Sequence, residues 1–141
     1  MAAMIRGKQL LILVAPAALL GLSAANRPTA LAQVSGGIWE LSGAQFKQPL
    51  RECIVEPMVL AQVEHRGQNC SRTLISDGES QTVIEYKCAG GGFGRSKITM
   101  ITPRALTIET QGISDNFPFG YTLQAHRIGD CGGGQASNPA H

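Results

Sequence analysis

Between Cys70 and Cys88 the chain reads CSRTLISDGESQTVIEYKC, two short alternating runs about Asp77-Gly78 with a cysteine at each open end. Ile84, Tyr86 and Cys88 alternate with Val83, Glu85 and Lys87, the period of a strand with one buried face. Leu74 and Cys70 share one parity of the preceding run, with Arg72 between them. Asp-Gly suits a tight turn, because glycine has no β-carbon to clash at positive φ. A register that pairs Leu74 with Ile84 also pairs Arg72 with Tyr86 and Cys70 with Cys88. It leaves a loop longer than the two residues Asp-Gly favours, yet it puts the apolar residues on one face and brings the sulfurs together.

The chain has four cysteines, Cys53, Cys70, Cys88 and Cys131. An even count in a small exported domain reads as two disulfides, and four cysteines allow three pairings. The hairpin favours Cys70–Cys88, which leaves Cys53–Cys131. A four-cysteine zinc site is the rival, but the sequence has no close C-x-x-C pair.

Export is read from the start of the chain. Met1 to Gln9 carries Arg6 and Lys8 and no acid, and Leu10 to Leu22 is an apolar run broken only by Pro16. That run is too short to span a bilayer, which takes about 20 residues, and it suits a secretory leader. Ala30-Leu31-Ala32 places small residues where a signal peptidase reads them, and Ser23-Ala24-Ala25 is a second candidate. The expectation is a leader over residues 1–32, a domain over 33–131 and a disordered tail over 132–141. The mature chain then holds nine basic residues against ten acids. Without a basic block or interleaved aromatics, nucleic-acid binding has no electrostatic support. No membrane span remains after cleavage.

The remaining segments read mostly as strands. Gly37 to Leu41 is a first strand and Gln48 to Val55 a second, followed by a short helix from Glu56 to Val63 with proline in its first turn. After the central hairpin, Ala89 to Gly94 is a glycine-rich connector. Lys97 to Thr102 and Leu106 to Gln111 form another hairpin about Pro103-Arg104, and Asn116 to Gly120 turns the chain into a last strand, Tyr121 to Ile128. About seven short strands predict a mainly β fold: an antiparallel meander, rolled or closed into a small, partly open barrel, with one short helix and two disulfides.

Gly37-Ile38-Trp39-Glu40 near the mature start, the four spaced cysteines and Arg127-Ile128-Gly129-Asp130-Cys131 near the end resemble the bacterial exported "domain of unknown function 3617" family. The resemblance spans roughly residues 36 to 131 and implies an exported, disulfide-bearing β domain, without activity or site residues to carry over. A weaker similarity, through Gly37-x-Trp39 and Arg127, is to lipocalin-like barrels.

No catalytic constellation stands out. His65, His126 and His141 share no ligand spacing; His65 reads as a solvated helix end and His126 as a solvent-face strand residue. There is no G-x-S-x-G elbow, and Gly90 to Lys97 lacks the Gly-Lys-Ser/Thr order of a phosphate loop. Nothing requires a cofactor or a metal. Trp39, Arg127 and Tyr86 are the candidate ligand or packing residues, with Arg127 expected over the Trp39 ring on a neighbouring strand. The expected role is a non-enzymatic module that holds a small apolar ligand or an envelope protein. A protein-interaction module without a small ligand, or a small hydrolase, is the alternative.

Overall fold

A computed structural model describes residues 27–132. Residues 1–26 of the expected leader and 133–141 of the expected tail lie outside the described residues. One seven-stranded antiparallel sheet forms the domain, built from β1 (Gly37–Gly43), β2 (Leu50–Ile54), β3 (Cys70–Asp77), β4 (Gln81–Cys88), β5 (Phe93–Thr102), β6 (Ala105–Ser114) and β7 (Phe117–Gly129). A helical turn, α1 (Thr29–Ala32), precedes β1, and a 3₁₀ segment, Pro57–His65, separates β2 from β3. The strand order is β2-β1-β7-β6-β5-β4-β3. β3 to β7 are therefore a plain meander, and the β1–β2 hairpin adds to its far edge.

The sheet is open, with β2 and β3 at opposite edges. The lipocalin-like closure is not adopted, for a reason of connectivity. β2 and β3 are consecutive in the chain, and the 3₁₀ segment between them packs on β4, β5 and β6, filling the face that a barrel would enclose. Trp39, Leu41, Ile84, Ile98, Leu106, Ile108, Leu123 and Ala125 alternate onto that face and are buried. Leu60, Ala61 and Val63 of the 3₁₀ segment cover them, with Leu31 and Val34 from the α1 region. Ser96 ties the two layers together: its hydroxyl donates to the Ala61 carbonyl at 2.5 Å and accepts from the Thr110 hydroxyl at 2.7 Å.

The opposite face is polar and laced across the strands in register. Glu40 pairs with Arg51 (2.7 Å), Glu85 with Arg95 (2.7 Å) and Lys97 with Glu109, each a direct cross-strand partner. Exposed pairs of this kind contribute roughly 0.2–1 kcal/mol each, so they fix register and solubility more than stability.

The central hairpin takes the expected register: Cys70↔Cys88, Arg72↔Tyr86 and Leu74↔Ile84. Its excess length is absorbed in two ways. Ile75 is bulged out between Leu74 and Ser76, and the loop runs over residues 78–80, closed by Gly78 N–H donating to the Gln81 carbonyl at 2.9 Å. The disulfides are Cys70–Cys88 and Cys53–Cys131, and no cysteine is free. Such a pattern belongs to an oxidising, extracytoplasmic environment. Among the described residues, no helix is long and apolar enough to cross a membrane.

The last hairpin differs from expectation. Its turn is Asp115-Asn116, both at positive φ (50° and 66°), and β7 begins at Phe117 rather than Tyr121. Asp and Asn tolerate the left-handed conformation that a two-residue hairpin turn requires. Pro118 is accommodated inside β7 because this end of the strand has a neighbour only on its β6 side; β1 joins from Leu123 onward.

β1 and β7 are neighbours, with Trp39 opposite Arg127. The expected stack does not form. The Arg127 guanidinium turns away, its Nε donating to the Gly36 carbonyl at 2.8 Å and its terminal nitrogen pairing with Asp130. Trp39 is instead fully buried, its Nε1 donating to the Ser35 carbonyl at 3.2 Å. The one cation–ring contact among the described residues is Arg66 over Phe46.

Loop-closure entropy predicts unequal contributions from the disulfides. Cys53–Cys131 spans 78 residues and Cys70–Cys88 spans 18, so replacing the pairs by serine is expected to cost about 4.5 and about 3 kcal/mol respectively. Urea unfolding of the two double variants, with m-values compared, checks the order.

Candidate functional site

The glycine-rich end of the sheet carries the site. Along one cross-strand row, Tyr86 of β4 pairs with Gly94 of β5, Gly94 with Gly112 of β6, and Gly112 with Phe119 of β7. The two glycines leave a gap in the middle of the row, and the flanking rings lean over it. A β-carbon on Gly94 would stand 2.6 Å from the Tyr86 hydroxyl, and one on Gly112 would stand 2.9 Å from the Phe119 ring. An aromatic ring laid over a cross-strand glycine covers backbone that would otherwise be bare.

A third ring joins them from the other layer. His65, at the end of the 3₁₀ segment, was expected in solvent; it is 2% exposed. Its ring lies edge-on to Tyr86 (5.5 Å between centroids) and to Phe119 (5.9 Å). Space for it comes from Gly92, where any β-carbon would fall within the imidazole. The segment's end folds inward because Gln62 breaks the helical path (φ −118°, ψ 39°) and is itself buried. The Gln62 amide donates to the carbonyls of His65 (3.2 Å) and Gln68 (3.0 Å), and its oxygen accepts from Arg72 at 2.5 Å. The solvated-end reading fails because it treated the helix terminus as a free surface, whereas Gly92 across from it leaves a hole that an imidazole fills.

His65 Nδ1 and the Tyr86 hydroxyl share a hydrogen bond of 3.1 Å, while Nε2 is buried without a partner. Burial pushes the Tyr86 phenol from 10.0 up to about 12. Tyr121 is raised further, first by burial and then by its hydrogen bond to Glu64 (2.9 Å). Both phenols therefore act as neutral donors. His65 faces a phenol and not a serine or cysteine, so the cluster has no activated nucleophile. Among the described residues no group of three or more His, Cys, Asp or Glu is placed to hold a metal ion.

Beside this cluster lies an open groove of about 720 Å³. It is lined by residues of the polar face: Phe93 and Ile113 give it apolar surface, with Phe119 at its border, and Glu85, Lys87, Arg95 and Gln111 supply polar groups. Tyr86 borders it but keeps its ring buried on the other side of the sheet. Phe93 is half exposed, at 47%. The Cys70–Cys88 bridge stands at the same end and steadies the loop behind it: Cys88 N–H donates to the Gly92 carbonyl (2.8 Å), and Gly91 N–H to the Cys88 carbonyl (3.0 Å).

Of the residues singled out from sequence, only Tyr86 borders the groove. Trp39 is in the core, and Arg127 sits toward the other end of β7, where it clasps the first strand. Cys53–Cys131 joins β2 to the end of β7 at that same place. His126 is exposed, as expected. Sequence reasoning missed Phe119, His65, Gln62 and the glycine row. The available signal was Gly92-x-Gly94, whose single parity would have mattered once the β4–β5 register was known.

Comparison of the chain with family models, with curated proteins and with solved structures finds no match.

Two outcomes follow from the cluster. Burial holds the folded Tyr86 phenol protonated where the unfolded chain, at 10.0, gives its proton up. Stability is therefore fully present below pH 10 and falls as pH rises towards about 12, by about 2–3 kcal/mol for a shift of this size. The ultraviolet absorbance of phenolate, followed in native and urea-unfolded protein, should show neither of the two tyrosines titrating in the native state until the chain unfolds. Gly92→Ala, which forces a β-carbon into the imidazole, should destabilise by about 1–3 kcal/mol, measured by urea unfolding.

Proposed function

We propose that the protein is an exported, non-enzymatic binding module that holds a small ligand with an apolar body and a polar end in the groove of Phe93, Ile113 and Phe119. The observation that carries this reading is the groove itself, about 720 Å³ of open space among Phe93, Ile113 and charged strand residues at the glycine-rich end of the sheet. A site of this size with apolar walls and a few convergent polar groups is the usual form of a small-molecule pocket. Lys87, Arg95 and Glu85 at the margin supply both signs of charge for a polar end.

The site is rigid for physical reasons. Its lining side chains stand on paired strands, Phe119 packs against His65 and Tyr121 behind it, and a disulfide closes the adjacent loop. Ligand binding on such a surface needs little reordering, which keeps the entropic cost of association low. The covered face of the sheet has no room for such a ligand, because the 3₁₀ segment fills it.

Membership of the exported family that the sequence resembles belongs to the same proposal. Its support is that the two blocks behind the resemblance form one unit, Ile38 opposite Gly129, Trp39 opposite Arg127 and Glu40 opposite His126. These residues hold the domain together and leave the groove to vary.

Native mass spectrometry of the protein recovered from a bacterial periplasm tests the reading. A bound mass that is lost on organic extraction supports it, and a bare monomer counts against it; a protein partner in its place favours an interaction module. Phe93→Glu, at a half-exposed position, should abolish the bound mass while shifting the melting temperature by no more than about 2 °C, since surface changes of this kind cost about 0.5 kcal/mol or less.

A further inference from the structure

We propose that the export leader is removed after Ala25, so that the mature protein begins at Asn26, and that residues 27–34 are a working part of the domain. The inference rests on the export reading above. It starts from α1, which occupies the segment a cut after Ala32 would discard.

Leu31 and Ala30 are fully buried, and Leu31 belongs to the main core cluster together with Trp39, Ile84 and Ile98. Val34, three residues beyond Leu31, is 2% exposed. The same segment caps the β3–β4 hairpin from outside. Thr29 donates to the Asp77 carboxylate twice, through its N–H at 2.7 Å and its hydroxyl at 3.0 Å, and the Gln33 amide donates to the Glu79 carbonyl at 3.2 Å. Arg27 pairs with Glu56 at 2.8 Å, just ahead of the 3₁₀ segment. A chain starting at Gln33 would lose the Leu31 plug from its core and would leave Asp77 without its two donors.

Sequence position agrees. Ser23 and Ala25 place small side chains at the same two positions as Ala30 and Ala32, and signal peptidase cleaves close behind the apolar run. Ala25 lies three residues beyond Leu22, the end of that run, whereas Ala32 lies ten beyond it. The segment after Ala25 also changes character, from the small apolar residues of a leader to Asn26-Arg27-Pro28-Thr29, whose last three residues make contacts within the domain.

The test uses the full precursor, expressed in a bacterial host. The intact mass of protein from the periplasm should correspond to a start at Asn26. A start at Gln33 overturns the cleavage assignment but leaves export standing, while a chain that keeps Met1 and stays in the cytoplasm overturns both. Leu31→Ala adds an independent readout. With the cut after Ala25 the side chain remains in the mature core, and the exported product should melt lower by on the order of 10 °C; an unchanged melting temperature overturns the proposal. Ala25→Arg should block processing, whereas Ala32→Arg, at an exposed position, should leave it intact. The reverse pattern is the contrary result.

Discussion

The pairing of β1 with β7 is the contact on which the remaining architecture depends. It places the β1–β2 hairpin at the edge of the sheet farthest from β3, the very strand to which the chain must next return. The link from β2 to β3 packs on the covered face, where it becomes the second layer of the domain. The pairing is clasped at one end by several groups at once. Arg127 holds the Gly36 carbonyl and Asp130, and Cys131 is bonded to Cys53 on the strand beyond. Gly37 sits at φ 152°, where a β-carbon would stand 2.5 Å from the Gly129 carbonyl and 2.6 Å from Arg127 Nε. Only glycine permits so close an approach.

That clasp and the proposed binding groove lie at different ends of β7, and the separation has a physical logic. The clasp lies where the first and last strands meet and where the long disulfide closes a loop of 78 residues. At the glycine-rich end, the backbone is stripped of side chains over Gly94 and Gly112, and rings from three separate elements fill in around it. Glycine in a strand interior weakens the strand by itself; here Tyr86 and Phe119 offset the loss by covering the bare backbone. His65 seals the cluster from the other layer, with its Nδ1 satisfied by Tyr86. Its Nε2 is left buried without a partner, which is a cost that the packing of three rings must outweigh.

Much of the fold was legible in the residues because its determinants are local or covalent. Alternation in the central hairpin, the Asp-Gly turn and the two flanking cysteines together specify a register, and that register is the one adopted, with Ile75 bulged to take up the slack. The seven strands and the short helical segment follow from the same period-two and period-three patterns, although β5, β6 and β7 extend further than their turn residues suggest. Disulfide pairing follows from the hairpin, since one bond made locally leaves only one other.

What the sequence by itself determined is thus the class of fold, the meander and the pairing of the cysteines, since each rests on neighbours along the chain or across one turn. Tertiary structure alone decided the rest: the open sheet, the 3₁₀ segment packed on it, the burial of His65, the turning of Arg127 from the Trp39 ring to a backbone carbonyl, and the groove. The reason is that each of these depends on what stands opposite a residue in another layer. A histidine at a helix end looks solvated until Gly92, in the loop ahead of β5, is found to leave room for its ring. An arginine opposite a tryptophan looks like a stack until a nearby carbonyl and carboxylate prove to be better partners for its guanidinium. Side-chain period announces which face is buried; only the assembled layers determine what each buried group meets there.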